Sequence, residues 1–184
     1  MIILASQSPR RKQLLEEAGV SFKIVSPDFD EKSVHLDKTD PKKYVSELAY
    51  KKASDVLEKN QEDTVIGADT VVVLENEVLE KPIDEEDAFR MLKKLSGKKH
   101  QVITGVAILK KGIEKVFTSV ASVYFKELTD FEITEYIASK EPMDKAGSYA
   151  IQGIGSKLIE RHEGDLFTII GLPLKEVLQT LKTI

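Results

Sequence analysis

The chain has 184 residues, 41% hydrophobic and 32% charged, and its 27 Lys plus Arg against 31 Asp plus Glu leave a formal net charge of -4. That size suits one domain with a real apolar core, and the charge balance argues against a nucleic-acid polymer as partner, which would call for a basic face. There is no cysteine, so disulfides and thiolate metal sites are excluded. The opening MIILASQSPRR lacks the charged leader of a signal peptide. No apolar run approaches the roughly 20 residues needed to cross a bilayer. A cytoplasmic protein without membrane association is expected.

MIILA reads as a buried strand from residue 2, and Ser8 before Pro9 marks a helix start, because a Ser can cap and a Pro at the first position forfeits no bond. Leu14, Leu15 and Ala18 supply that helix's apolar face, and Gly19 ends it in a left-handed conformation. SFKIVS reads as a second strand, and the polar, aperiodic stretch 27–40 as a loop. Asp40-Pro41 repeats the helix signal, with Tyr44, Val45, Leu48, Ala49, Ala53, Val56 and Leu57 at helical spacing to about Asn60. VIGADTVVVLENEVLEKP, residues 65–82, reads as two strands joined by a polar turn at Glu75, Asn76 and Glu77. IDEEDAFRMLKKLSG follows as a helix with acid in its first turn and Lys93 and Lys94 in its last, as the helix dipole favours.

HQVITGVAILKKGIEKVFTSVASVYF reads as two long strands around a KKG turn. Thr129 and Glu132 stand in capping-box spacing at the head of another helix. SYAIQGIGSKLIERHEGDLFTIIG reads as three short strands and LPLKEVLQTLKTI as a closing helix. No repeat, low-complexity tract or long linker interrupts the chain. The expectation is a single α/β domain over 1–184 with a mixed sheet.

Several polar residues stand out against this pattern. Arg10, Arg11 and Lys12 crowd the first turn of the first helix, where like charge is unfavourable unless an anion binds there. Ser6 and Ser8 add hydroxyls. A solvated basic turn is the alternative. Asp69 and Lys81 are charges near the open end of the 65–82 hairpin, where burying an unpaired ion is costly. A three-residue turn would set Val71 opposite Lys81 with Asp69 on the same face; a two-residue turn would set Val72 opposite Lys81 and turn Asp69 away. Either a structural ion pair, a capping Asp, or an acid facing a cleft is compatible, and Gly67 and Ala68 would leave room for a ligand.

Glu31 alone is an ordinary loop acid, and Lys51 and Lys52 ordinary solvated helix lysines. Gln152, in a strand-like segment beside Gly153 and Gly155, offers one donor and one acceptor to a base edge, or serves as a buried structural amide. His35, His100 and His162 fall in loops or at strand edges without metal spacing. Neither G-x-S-x-G nor a P-loop is present.

Together LASQSPRRKQLL, the DE at 30 and 31, GADTVVVLENEVLEKP, LSGKKHQVITGVA and KEPMDKAGSYAIQG resemble the Maf family of nucleotide pyrophosphatases, also called septum formation inhibitor proteins. The resemblance covers nearly the whole chain in order. It implies hydrolysis of a nucleoside triphosphate to monophosphate and pyrophosphate with a divalent cation, Mg²⁺ or Mn²⁺. The fold it implies is an elongated mixed sheet flanked by helices, two lobes around a cleft, similar to the inosine triphosphatase family.

The resemblance makes Asp69 the proton acceptor. It matches Arg10, Thr70 and Gln152 to the specificity positions of the branch acting on dTTP and UTP, and Ser6, Arg11, Glu31, Lys52 and Lys81 to the rest of the cleft. Asp69 and Glu31 would hold the metal, Lys81 would stabilise the transferring phosphoryl, and a homodimer is implied. Ser148 stands where the family often has Ala. Asp69 as base and Asp69 as metal ligand remain equal readings. Two other functions compete: a nucleotidyltransferase making nucleotide sugars, and a nucleotide-binding regulator of cell division without turnover.

Overall fold

The computed structural model describes residues 1–31 and 35–184; the part of the expected 27–40 loop at 32–34 lies outside the described residues. Strand β1 (Ile2–Ala5) leads into helix α1 (Pro9–Glu17), and Ser8 caps it by accepting the Arg11 N–H at 3.4 Å. Strand β2 (Phe22–Ile24) returns parallel to β1, the connection a helical crossover permits. Helix α2 (Pro41–Lys59), capped by Asp40, precedes β3 (Thr64–Leu74), which also runs parallel to β1 with Ala5 opposite Gly67. Strand β4 (Glu77–Leu79) turns back antiparallel to β3. After α3 (Glu85–Leu95) come the long strands β5 (Lys99–Lys110) and β6 (Ile113–Phe125), then α4 (Asp130–Ala138), whose capping box forms. Strand β7 (Ile159–Glu163) pairs antiparallel with β6, and α5 (Leu166–Ile170) and α6 (Leu174–Leu181) close the chain. The strands make one seven-stranded mixed sheet, ordered β2-β1-β3-β5-β6-β7 with β4 on β3, flanked by helices.

The chain divides into two compact units. The first comprises 1–70, 104–119 and 171–184, the second 71–103 and 120–170. In the first, Ile3, Ala49, Ala53, Val56, Val65 and Leu109 form a core between α2 and its strands. Gly67 is required there: a Cβ would lie 2.3 Å from the Ala49 carbonyl oxygen and 2.9 Å from Ala53. Its missing side chain makes room for α2, not for a ligand as the sequence suggested. The second unit packs α3 and α4 around Leu79, Leu92, Leu95, Val123, Phe125 and Ile133.

Three expectations need correction. The hairpin turn holds two residues, Glu75 and Asn76, both with positive φ (50° and 68°), so Leu74 pairs with Glu77 and Val72 with Leu79. Such turns match the twist of the strands they join. Counted from this turn, Leu79 and not Lys81 falls opposite Val72, and β4 ends at Leu79, so neither expected pairing forms. Secondly, 148–171 is not three strands. Gly147, Ser148 and Gly153 adopt φ of 67°, 64° and 70°, which breaks extended backbone. Short 3₁₀ turns result at Glu141–Asp144, Ala146–Ser148 and Gly153–Leu158, leaving only β7 as strand and α5 as helix. Thirdly, His100 is not peripheral: it is 2% exposed within β5.

Candidate active site

In the first unit the site begins where β1 ends. The C-terminal ends of parallel strands are where such sheets bind ligands. Ser6 follows β1 and is buried, its Oγ accepting the Ser8 N–H at 3.1 Å and Arg11 Nη1 at 3.4 Å. Arg11 also donates from Nε to the Gly171 carbonyl at 2.7 Å and from Nη2 to Thr70 Oγ1 at 3.1 Å. The two threonine hydroxyls of Thr70 and Thr104 lie 2.8 Å apart. The guanidinium is thus oriented by three neutral oxygens, which fix its direction without neutralising it. Burial lowers the Arg11 pKa and Asp69 opposes that shift, yet a guanidinium stays charged. Arg10 is half-buried beside it in the same first turn, which contains no acid.

Lys52 is the second element of the site. Gly67 lets α2 approach β3 closely, and Lys52, on that helix, is only 12% exposed. Its ammonium donates to Asp69 Oδ1 at 2.7 Å and lies 2.7 Å from Glu31 Oε1. The expectation of a solvated Lys52 is therefore overturned, and Asp69 has Lys52 for its ion-pair partner. Burial raises the Asp69 pKa; Lys52 and Arg11 counter it. The result is a carboxylate more basic than an ordinary Asp, 13% exposed and backed by cations. Glu31 is half exposed, at 51%.

Among the described residues no three His, Asp or Glu side chains cluster as a metal cage. Asp69 and Glu31 nonetheless converge on one cation, and one or two carboxylates completed by ligand oxygens is how Mg²⁺ is usually held. The pair fits such an ion. A groove of about 700 Å³ beside α2, lined by Phe29, Leu36, Tyr50 and Val116, includes none of these charged groups.

The remaining candidates belong to the second unit. Lys81, just past β4, is exposed, and among the described residues it makes no ion pair. Gln152 is exposed too, so the buried structural amide is excluded. It has extended backbone and directly precedes the Gly153–Leu158 turn. The Gly147 N–H donates to the Glu80 carbonyl at 3.1 Å, tying the turn before Gln152 to the residue next to Lys81.

Sequence reading missed Thr104 and Gly171. Thr104 is a fully buried hydroxyl inside an apolar strand, a signal as visible as Asp69. Gly171 has φ of 125°, and a Cβ would sit 3.4 Å from Thr70 Oγ1 and 3.5 Å from Arg11 Nε; nothing local in the sequence distinguishes it from a helix-terminating glycine.

The family described as Maf-like protein matches residues 1–184. A protein of Acholeplasma laidlawii named dTTP/UTP pyrophosphatase is 50% identical over 182 residues, covering 99% of this chain and 95% of its own length. One of the same name from a Geobacillus species is 48% identical over 181 residues, covering 98% and 96%. Among solved structures, a HAM1 protein from Coxiella burnetii aligns with a TM-score of 0.52 at 14% identity over 100% of this chain and 98% of that one. The Staphylococcus aureus Ham1 protein aligns with a TM-score of 0.51 at 16% identity, over 86% and 79%. At these identities the structures speak for the fold alone.

Proposed function

The chain belongs to the Maf family, and from that premise we propose that it hydrolyses dTTP and UTP to the monophosphate and pyrophosphate. Relatives about half identical over nearly their full length bear the name dTTP/UTP pyrophosphatase. The observation that carries the reading is the buried carboxylate of Asp69, held at 2.7 Å by Lys52 in the same unit as an Arg11 that, among the described residues, is held by neutral oxygens. A triphosphate supplies the missing anion.

In this reading water attacks the α-phosphorus in line with the departing pyrophosphate. Asp69 orients that water and takes its proton, and its raised pKa improves it as an acceptor. Arg10 and Arg11 hold the phosphates, with Ser6 and Thr70 aligning Arg11. Lys52 and Lys81 offset charge building on the transferring phosphoryl and the leaving group. Gln152 pairs with the donor and acceptor on the uracil or thymine edge. Asp69 and Glu31 would hold a divalent cation, Mg²⁺ or Mn²⁺, which when bound supplies positive charge to the phosphate oxygens. Residues 1–184 act as one catalytic domain, in the cytoplasm and as a homodimer; sedimentation tests the last point.

The test of the reaction is a panel of UTP, dTTP, CTP and methylated GTP with Mg²⁺ or Mn²⁺, scoring pyrophosphate and monophosphate. Uracil and thymine nucleotides should give one pyrophosphate per monophosphate. Release of orthophosphate in its place would overturn the assignment.

A further inference from the structure

Gln152 projects from backbone that side chains grip on both sides. Upstream, the Ala150 N–H donates to the Tyr136 hydroxyl at 3.3 Å. Downstream, the Ile154 and Gly155 N–H groups donate to the two carboxylate oxygens of Glu141, at 3.1 and 2.8 Å. The two grips lie close together: burial first, and then the neighbouring Glu141 carboxylate, push the Tyr136 pKa up. The glycines around Gln152 are explained by this arrangement. A Cβ on Gly153 would sit 2.3 Å from Glu141 Oε1, and one on Gly155 would sit 2.6 Å from the Tyr136 hydroxyl.

The clamp is itself anchored. Tyr136 is 3% exposed on α4 within the second unit's core. The Glu141 carbonyl accepts Lys145 Nζ at 2.8 Å. One residue before Ala150, the Tyr149 hydroxyl lies 2.6 Å from His100 Nε2, and both rings stack edge-on with Phe125. Residues 149, 150, 154 and 155 are all held, while the Gln152 side chain is left in the open.

A primary amide carries its donor and acceptor on equivalent arms. By turning over, a glutamine can face either uracil or cytosine, whose edges present these groups in opposite order. The side chain alone is therefore a poor discriminator, and selectivity falls to the rigidity and placement of the backbone that carries it. We infer that Glu141 and Tyr136 are positioning residues for nucleobase selection, clamping the backbone on either side of Gln152. This rests on the reading of Gln152 as the residue that meets the base.

The test uses Glu141→Gln, Tyr136→Phe, Gln152→Ala and the double variant Glu141→Gln/Gln152→Ala in the full chain. The readout is the ratio of kcat/KM for UTP to that for CTP, by pyrophosphate release. Glu141→Gln should lower the ratio about tenfold, as loss of a charge-assisted pair of bonds would, with the change in KM for UTP rather than kcat. Tyr136→Phe should lower it about threefold. The double variant should be no less selective than Gln152→Ala, since a clamp without its reader has nothing to position. An unchanged ratio in Glu141→Gln and Tyr136→Phe, or effects that simply add to Gln152→Ala, would overturn the clamp while sparing Gln152. An unchanged ratio in Gln152→Ala would overturn the reading of Gln152 and the clamp with it. If Glu141→Gln does not fold, Tyr136→Phe, which deletes one oxygen, decides.

Discussion

The two units hold their candidate site residues by different means. In the first, Lys52 joins Asp69 and Glu31 ion to ion, and Arg11, among the described residues, is aimed by neutral oxygens. In the second, side chains hold backbone: the Tyr136 hydroxyl and the Glu141 carboxylate grip N–H groups, and His100 meets Tyr149 inside the core. The first arrangement suits a polyanion, whose binding exchanges one set of ionic contacts for another. The second suits recognition by shape and hydrogen bonding, where a displaced backbone costs selectivity more than it costs charge.

If that contrast is right, perturbing the first unit should change rate and the second should change fidelity or stability. The largest effect is expected for Asp69→Asn, which should lower kcat by roughly a hundredfold to ten-thousandfold. A buried acid with a raised pKa favours the folded state below its ordinary pKa and loses that advantage as pH rises through the folded value. Ionised Asp69 is thus a burden at neutral pH, and the Asn variant should melt no lower than the parent there. A melting temperature well below the parent's would contradict this. In the active protein, the acidic limb of kcat/KM should lie above the range of an ordinary Asp, for the same reason.

Lys52→Met should behave in the opposite sense. It leaves Asp69 and Glu31 facing each other without their cation, and should cost about 3 kcal/mol of folding stability, read from the denaturant midpoint. Equal stability for the two variants would break the picture of Lys52 as the hub.

His100 tests the second unit. Burial lowers its pKa from 6.5 to about 4, and its Nδ1 has no partner among the described residues, so a second proton on the ring would be buried uncompensated. A base with a depressed folded pKa gives stability that is present above its unfolded pKa and lost as pH falls through the folded one. Stability should therefore decline between pH about 6.5 and about 4, by on the order of 3 kcal/mol. In His100→Gln that part of the pH dependence should vanish from the unfolding curves.

Smaller effects should follow from two further changes. Thr104→Val removes the hydroxyl beside Thr70 and should reduce kcat/KM severalfold, through about 1 kcal/mol of lost alignment at Arg11. Asn76→Gly relieves a positive φ in the hairpin turn and should change stability by less than about 1 kcal/mol, with no effect on kcat/KM.

The capped helices were legible because their signals are local. Ser8-Pro9, Asp40-Pro41 and Thr129 each cap the helix that their sequence announces. The parallel placement of β1 and β3 was not, since register between distant strands depends on what packs above them. The segment after Tyr149 misled for a related reason: its apolar residues alternate as in a strand, yet left-handed residues and the Glu141 carboxylate, eleven positions before Gln152, bend it into turns. Of the site, composition and position alone drew attention to the arginines of α1, to Asp69 and to Gln152. The resemblance added Lys52 and Glu31, and Thr104 and Gly171 escaped both.

By itself, then, the sequence determined the capped helices, the hairpin's existence and the surplus of cations at the start of α1, because each follows from chemistry within a few residues. Only tertiary structure decided that Lys52 turns inward to bridge two acids, that Gly67 serves helix packing, and that Gln152 stands exposed in a gripped backbone. Those outcomes depend on which surfaces meet across long stretches of chain, and the free energy of burying a charge or a hydroxyl is set by neighbours that no local pattern names.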